Sequence, residues 1–161
     1  ETNIQSTVGN VCNDLHKRIK ELGAEIIFQD LPTVKASPTA VHQLFLNLIN
    51  NGLKYNRSDK PIIRIEAEYV HDHWQFSVQD NGIGIKPDDQ EKIFKIFERL
   101  HNRDLYEGSG IGLAQVQKII TAHNGRIWVK SELGKGSTFF FTLGKQESQG
   151  QHQQLKLTKA S

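Results

Sequence analysis

The chain of 161 residues has no methionine and one cysteine, Cys12. A single thiol allows no internal disulfide, so a hydrophobic core must hold the fold, and a reducing compartment is permitted. Cys12 itself reads as a small buried hydrophobe. No apolar run approaches the roughly 18 residues of a membrane-spanning helix, and no signal-type segment opens the sequence. The missing methionine and the start at Glu1 suggest a piece excised from something longer. Strong charge of either sign is also lacking: Lys and Arg number 20, Asp and Glu 18, and the formal charge of +2 is spread without a basic cluster. That balance argues against a nucleic-acid partner. What remains, 37% hydrophobic and 24% charged residues, is the composition of an ordinary globular protein. The length suits a single domain with one core.

Apolar residues at Ile4, Val8, Val11, Cys12, Leu15, Ile19 and Leu22 predict one helix, ended by Gly23. AEIIFQD predicts a short strand, and Ser37-Pro38 opens a second helix with an N-cap serine and an N1 proline. IIRIEAEYV and HWQFSVQD predict a hairpin turning around Asp72. After the looser NGIGIKPDD and EKIFKIFERL, the glycine-rich EGSGIGL opens a helix that stops at Asn124-Gly125. RIWVKSE and STFFFTL predict two last strands around the turn LGKGS, and from Lys145 on the chain is polar and Gln-rich, a flexible tail. The order predicts an α+β two-layer sandwich with helices on one face of the sheet.

The second helix carries an unusual stripe. At about 100° per residue, Gln43, Asn47, Asn51 and Lys54 fall in one quadrant, while Val41, Leu44, Phe45, Leu48 and Tyr55 gather on another. A solvated face would ordinarily use better helix formers than Asn, so the amides point to a ligand. In WQFSVQD the alternation puts Asp80 in line with Trp74, Phe76 and Val78. By itself such an Asp reads as the end of a strand capping the Asn81-Gly82 turn. The alternative is an acceptor for an amine in an apolar pocket, as adenine would supply. Gly82 and Gly84 allow close approach of a flat ligand between Ile83 and Ile85. Gly108, Gly110 and Gly112 lead into a helix whose N–H groups suit a phosphate chain. They do not form the dinucleotide fingerprint, because the residues before them are loop-like; nor is LGKGST a Walker loop.

In this order, the motifs resemble the ATP-binding domain of histidine kinases, within the superfamily shared with gyrase, the ninety-kilodalton heat-shock chaperone and the mismatch-repair ATPases. The resemblance runs from the first helix to Thr142, and it implies the Bergerat-type fold, ATP and Mg²⁺. Asn47, Asn51, Lys54 and Tyr55 resemble the N box: Asn51 would ligate Mg²⁺, Asn47 would assist at the metal and phosphates, and Lys54 would meet the phosphates. Asp80, Gly82 and Gly84 resemble the first glycine box, with Asp80 reading the adenine amine. Phe94, Phe97 and Arg99 resemble the F box, residues 100–109 the mobile lid, and Gly108, Gly110, Gly112 and Leu113 the second glycine box. Gly134, Gly136 and Thr138 match the last glycine box. The run FERLHNRDLYEGSGIGLA resembles kinases attached to phytochrome-type photosensors.

Two positions depart from the family pattern: Gly52 replaces the usual alanine and Asn56 a Ser or Thr, and both are expected to loosen the helix end. None of the seven histidines is followed by Asp or Glu and then Pro-Leu, the phosphoacceptor context. His71 and His73 bracket a turn without a third metal ligand nearby, and His123 is expected to face a helix dipole. The resemblance implies that residues 1–145 are the catalytic half of a cytoplasmic sensor kinase, with 146–161 a tail. The parent could be membrane-anchored or soluble. It would transfer the γ-phosphoryl group of MgATP to a histidine on an absent dimerisation domain, with a response regulator downstream. The parent would be a homodimer and this chain a monomer. An ATP-operated clamp or hydrolase is the alternative, but those relatives carry a glutamate, as base for water, where this chain has Asn47. A nucleotide-binding module that signals without catalysis is a third reading.

Overall fold

A computed structural model describes residues 1–94 and 110–143, with the backbone alone at 110–112. From the N-terminus, β1 (Thr2–Asn3) runs into α1 (Ile4–Asp14), whose N-cap Asn3 accepts from the Ser6 N–H at 3.0 Å. The chain bends at Leu15 (φ −96°, ψ 8°) into α2 (His16–Leu22). One helix was expected over this span. The axis breaks where the packing changes: α1 buries Ile4, Val8 and Val11 against the core, whereas α2 buries no residue. Gly23 ends α2 in the left-handed conformation (φ 62°), which glycine adopts without steric cost.

β2 (Glu25–Phe28) follows, then β3 (Thr33–Val34), which pairs with β1 in a two-stranded ladder that the sequence pattern did not reveal. α3 (Pro38–Lys54) is the amide-striped helix; its N-cap Ser37 accepts from the Ala40 N–H at 3.4 Å. β4 (Ile62–Val70) and β5 (His73–Asp80) form the expected hairpin. His71 and Asp72 both have positive φ (48° and 66°), the two-residue turn that matches the twist of paired strands. After the one-turn α4 (Pro87–Gln90) and the undescribed stretch, α5 (Gly110–Ala122) leads to β6 (Ile127–Glu132) and β7 (Gly136–Thr142).

The main sheet has the order β2-β4-β5-β7-β6, parallel at β2–β4 and antiparallel elsewhere. α3 packs on β4 and β5 and lies between α1 and α5. Phe45 of α3 meets Phe76 and Phe141 of the sheet edge to face, with centroids at 6.3 and 5.6 Å, and the two sheet rings stack at 5.1 Å. All three are fully buried, and three rings of this size dominate core energetics. The architecture is the α+β sandwich read from the pattern, with helices on one face. Among the described residues, no helix is long and apolar enough to cross a membrane.

Candidate functional site

The inward face of β5 ends in a carboxylate. Asp80 shares its face with Phe76 and Val78, and it sits at the floor of a hollow between α3, the β5–α4 loop, α5 and β7. Its Oδ1 accepts from the Gly82 N–H at 2.9 Å and the Ser137 N–H at 3.3 Å. Burial raises its pKa from 3.8 to about 6, while these two backbone donors pull it back down. Ile83, Ile85 and Ile93 line the hollow together with Leu113 of α5 and Phe139 of β7, so the carboxylate is the polar group of an apolar slot. Phe94 backs this wall, edge to face with Phe139 at 6.1 Å.

The glycines are spacers in the strict sense. A Cβ on Gly82 would lie 2.4 Å from the Tyr55 carbonyl oxygen, and one on Gly84 (φ 77°) 2.2 Å from that of Glu132. At Gly136 (φ 119°) it would meet the Asp80 carbonyl oxygen at 2.1 Å. No side chain fits there, so the loop, β7 and β5 close around the carboxylate at backbone contact distance. Ser131 braces the back of the slot: its hydroxyl accepts from the Ile85 N–H at 2.8 Å and donates to the Gly136 carbonyl at 2.9 Å. Gln90 adds donors to the Ile85 and Ser131 carbonyls, each at 3.1 Å.

The amide stripe of α3 borders this slot and is not a solvated face. Gln43, Asn47, Asn50 and Asn51 are each half-buried, and Lys54 alone of the stripe is exposed. Asn51 and Tyr55 line the hollow itself. Asn51 Nδ2 and Asn50 Oδ1 are buried without a hydrogen-bond partner, a costly state for an amide that normally marks an unfilled contact. Asn50 was missed in the sequence, although its helical angle places it beside Gln43. The Lys54 ammonium stands over the Tyr55 ring at 5.6 Å. Gly110 and Gly112 lie in the first turn of α5, with Leu113 just beyond them on the slot wall.

A family described as histidine kinase-, DNA gyrase B-, and HSP90-like ATPase matches residues 36–147. The chain belongs to this family. It is 50% identical over 142 residues to cyanobacterial phytochrome A of Nostoc sp., a match covering 88% of this chain and 19% of that protein. To the adaptive-response sensory kinase SasA of Synechococcus elongatus it is 40% identical over 136 residues, covering 83% of this chain and 35% of the relative. The chain thus spans about a fifth of the length of its phytochrome relatives. Among solved structures, full-length ShkA in complex with AMPPNP superposes with a TM-score of 0.75 at 29% identity, over 89% of this chain and 30% of that one. The nucleotide-free catalytic domain of the histidine kinase ThkA superposes at 0.70 with 26% identity, over 89% and 92%. The fold is that of a histidine kinase catalytic domain, an ATP-binding domain.

Against the family pattern, the structure corrects several expectations. Thr138 does not reach the slot: on β7, side chains alternate, and Ser137 and Phe139 take the inner face with Asp80 while Thr138 turns to the other. Gly52 does not loosen α3. The helix continues through it to Lys54, and it packs closely on the hairpin there, where a Cβ would lie 2.8 Å from Ile63 Cδ1 and 3.4 Å from Asp80 Cβ. Asn56 likewise fastens the helix end, donating to Asn81 Oδ1 at 2.7 Å while Asn81 holds the Ile62 N–H and the Lys60 carbonyl. His123 does reach a carbonyl of its own last turn, Ile119 O at 2.8 Å, but its Nε2 also accepts from the Ser37 N–H at 3.2 Å. Among the described residues no group of three or more His, Cys, Asp or Glu could hold a metal, so His71 and His73 form no such site. Phe97, Arg99, Gly108, the lid at 100–109 and the tail at 146–161 lie outside the described residues.

Proposed function

We propose that the slot holds the adenine of ATP and that the parent protein is a sensor histidine kinase of the phytochrome-associated kind, with residues 1–145 its catalytic domain. The observation that carries the reading is Asp80: a carboxylate at the floor of an apolar slot, its Oδ1 occupied by backbone donors, suits an exocyclic amine presented edge-on. The orphaned amide of Asn51 at the slot's rim fits the next part of the ligand. Turned oxygen outward, it is a neutral ligand for Mg²⁺ that keeps several waters and shares phosphate oxygens. Asn47 assists on the phosphate side, Lys54 supplies a cation, and the N–H groups opening α5 at Gly110 and Gly112 cradle the phosphate chain. Mg²⁺, when bound, neutralises charge on the phosphates.

These residues bind and orient, and the reaction is completed elsewhere in the parent. A histidine on a separate dimerisation domain attacks the γ-phosphorus, a P–N bond forms as the P–O bond to ADP breaks, and ADP leaves with the negative charge. A response regulator would take the phosphoryl group next, in the cytoplasm. Asn47 stands where hydrolytic relatives carry a base for water, and an amide cannot take that proton, which favours transfer over hydrolysis.

Calorimetric titration tests the assignment. MgATP should bind and GTP should bind far more weakly, because guanine lacks an amine at that position. Asp80→Asn should weaken MgATP by about one to two decades, as loss of a buried charged acceptor costs on the order of 1–3 kcal/mol. Equal affinity of the folded Asp80→Asn protein would remove the adenine assignment.

A further inference from the structure

We propose that Gln43 and Gln115 are positioning residues for Asn47, holding its amide in one orientation toward the phosphate chain; this rests on the nucleotide reading above. An asparagine amide turned by 180° exchanges a donor for an acceptor at nearly the same place. Beside a phosphate that exchange turns attraction into repulsion. The neighbours of the amide must therefore decide which end faces the ligand.

Two of them grip opposite ends of Asn47. Gln43, one turn earlier on the same stripe of α3, donates from Nε2 to Asn47 Oδ1 at 3.0 Å, a spacing of four residues at which helix side chains meet. Across the helix interface, Asn47 Nδ2 donates to Gln115 Oε1 at 3.4 Å. The oxygen is thus drawn back along α3 and the nitrogen is turned toward α5, the helix whose first turn carries Gly110 and Gly112. The Gln43 contact is the shorter and half-buried, and that to Gln115 is longer and exposed, so Gln43 carries more of the orientation. Neither Gln43 nor Gln115 is among the residues that line the slot, which separates them from the binding groups.

The experiment titrates this chain with MgATP and, separately, with adenosine, which enters the slot but has no phosphates. Gln43→Leu should weaken MgATP roughly fivefold, the worth of one neutral hydrogen bond, and Gln115→Ala about twofold, as expected of a longer, exposed contact. Adenosine should bind both variants as it binds the parent chain. In an Asn47→Ala background, Gln43→Leu should have no further effect, since the two act through one amide. Unchanged MgATP affinity in Gln43→Leu, equal losses for MgATP and adenosine, or an undiminished Gln43→Leu effect without Asn47 would each overturn the proposal. If the unsubstituted chain bound neither ligand, the nucleotide reading would fail first and the positioning role with it; if it bound both, only the variants decide.

Discussion

At the scale of single residues, Asp80 is kept at a cost. Its carboxyl has a pKa of about 6 in the fold against 3.8 as its ordinary value, because burial penalises the charge more than two N–H donors repay it. The folded state therefore holds the proton more tightly than the unfolded chain does. Linkage gives the sign: the stabilising contribution of the neutral form is complete below about 4 and is lost as pH rises through about 6. At neutral pH the fold carries a desolvated anion, and replacing it with an uncharged isostere should stabilise the ligand-free protein. Two pK units correspond to about 3 kcal/mol at most. Partial exposure and the weaker bonds of an amide cut this to roughly 1–2 kcal/mol, or about 3–6 °C in melting temperature for a chain of this size. Asp80→Asn should thus melt higher at pH 7.5, with a gain that shrinks at pH 5, while binding nucleotide worse. Melting at or below the parent temperature at pH 7.5 would show that the carboxylate stabilises the fold, contrary to this account. Stability given up at a site for recognition is the expected trade.

At the scale of elements, glycines differ by what surrounds them. Gly136 has φ 119° with the Asp80 carbonyl oxygen 2.1 Å from where a Cβ would be; Gly134 has φ 85° with nothing within 4 Å; and Gly9, in α1, has open space and no positive φ. Alanine should therefore cost about 3 kcal/mol or more at Gly136 and about 1–2 kcal/mol at Gly134, and it should add about 0.5–1 kcal/mol at Gly9. Urea unfolding of the three variants checks the order, and a Gly134→Ala loss equal to that of Gly136→Ala would deny the close approach its role. This grading also marks how far the sequence could be read. Period-two patterning exposed β4, β5 and the inward turn of Asp80, because an alternation of eight or nine residues leaves little ambiguity. The β1–β3 ladder stayed hidden because two-residue strands have no period. The same alternation in STFFFTL places Ser137 inside and Thr138 outside, against the match of Thr138 to the last glycine box. Asn50 is legible on the helical wheel, seven residues on from Gln43. The bond from Ser37 to His123 joins positions 86 residues apart, and no local pattern encodes it.

At the scale of the whole molecule, the proposed separation of site from acceptor predicts what this chain does alone. Self-labelling needs an imidazole in line with the γ-phosphate, and none of the seven histidines sits in the acceptor context. Three of those among the described residues make structural contacts: His42 pairs with Asp14 at 2.8 Å, His73 bonds the His71 carbonyl at 3.2 Å, and His123 bridges the end of α5 to Ser37. Fast hydrolysis needs a base for water, and on the reading proposed above Asn47, an amide, holds that position. Incubated with γ-labelled ATP and Mg²⁺, the chain should bind nucleotide yet acquire little label and release phosphate slowly. If, as proposed, the parent carries its acceptor histidine on a helical hairpin, adding that hairpin as a separate molecule should restore labelling. It should do so slowly, because the effective concentration supplied by covalent linkage, millimolar for short flexible linkers, is lost. The label should be lost in acid and kept in base, as a phosphorus–nitrogen bond to imidazole requires. Strong labelling of the chain alone, or rapid phosphate release abolished by Asn47→Ala, would mean that acceptor or base lies within these residues, and would replace the proposed phosphoryl transfer with the hydrolytic reading.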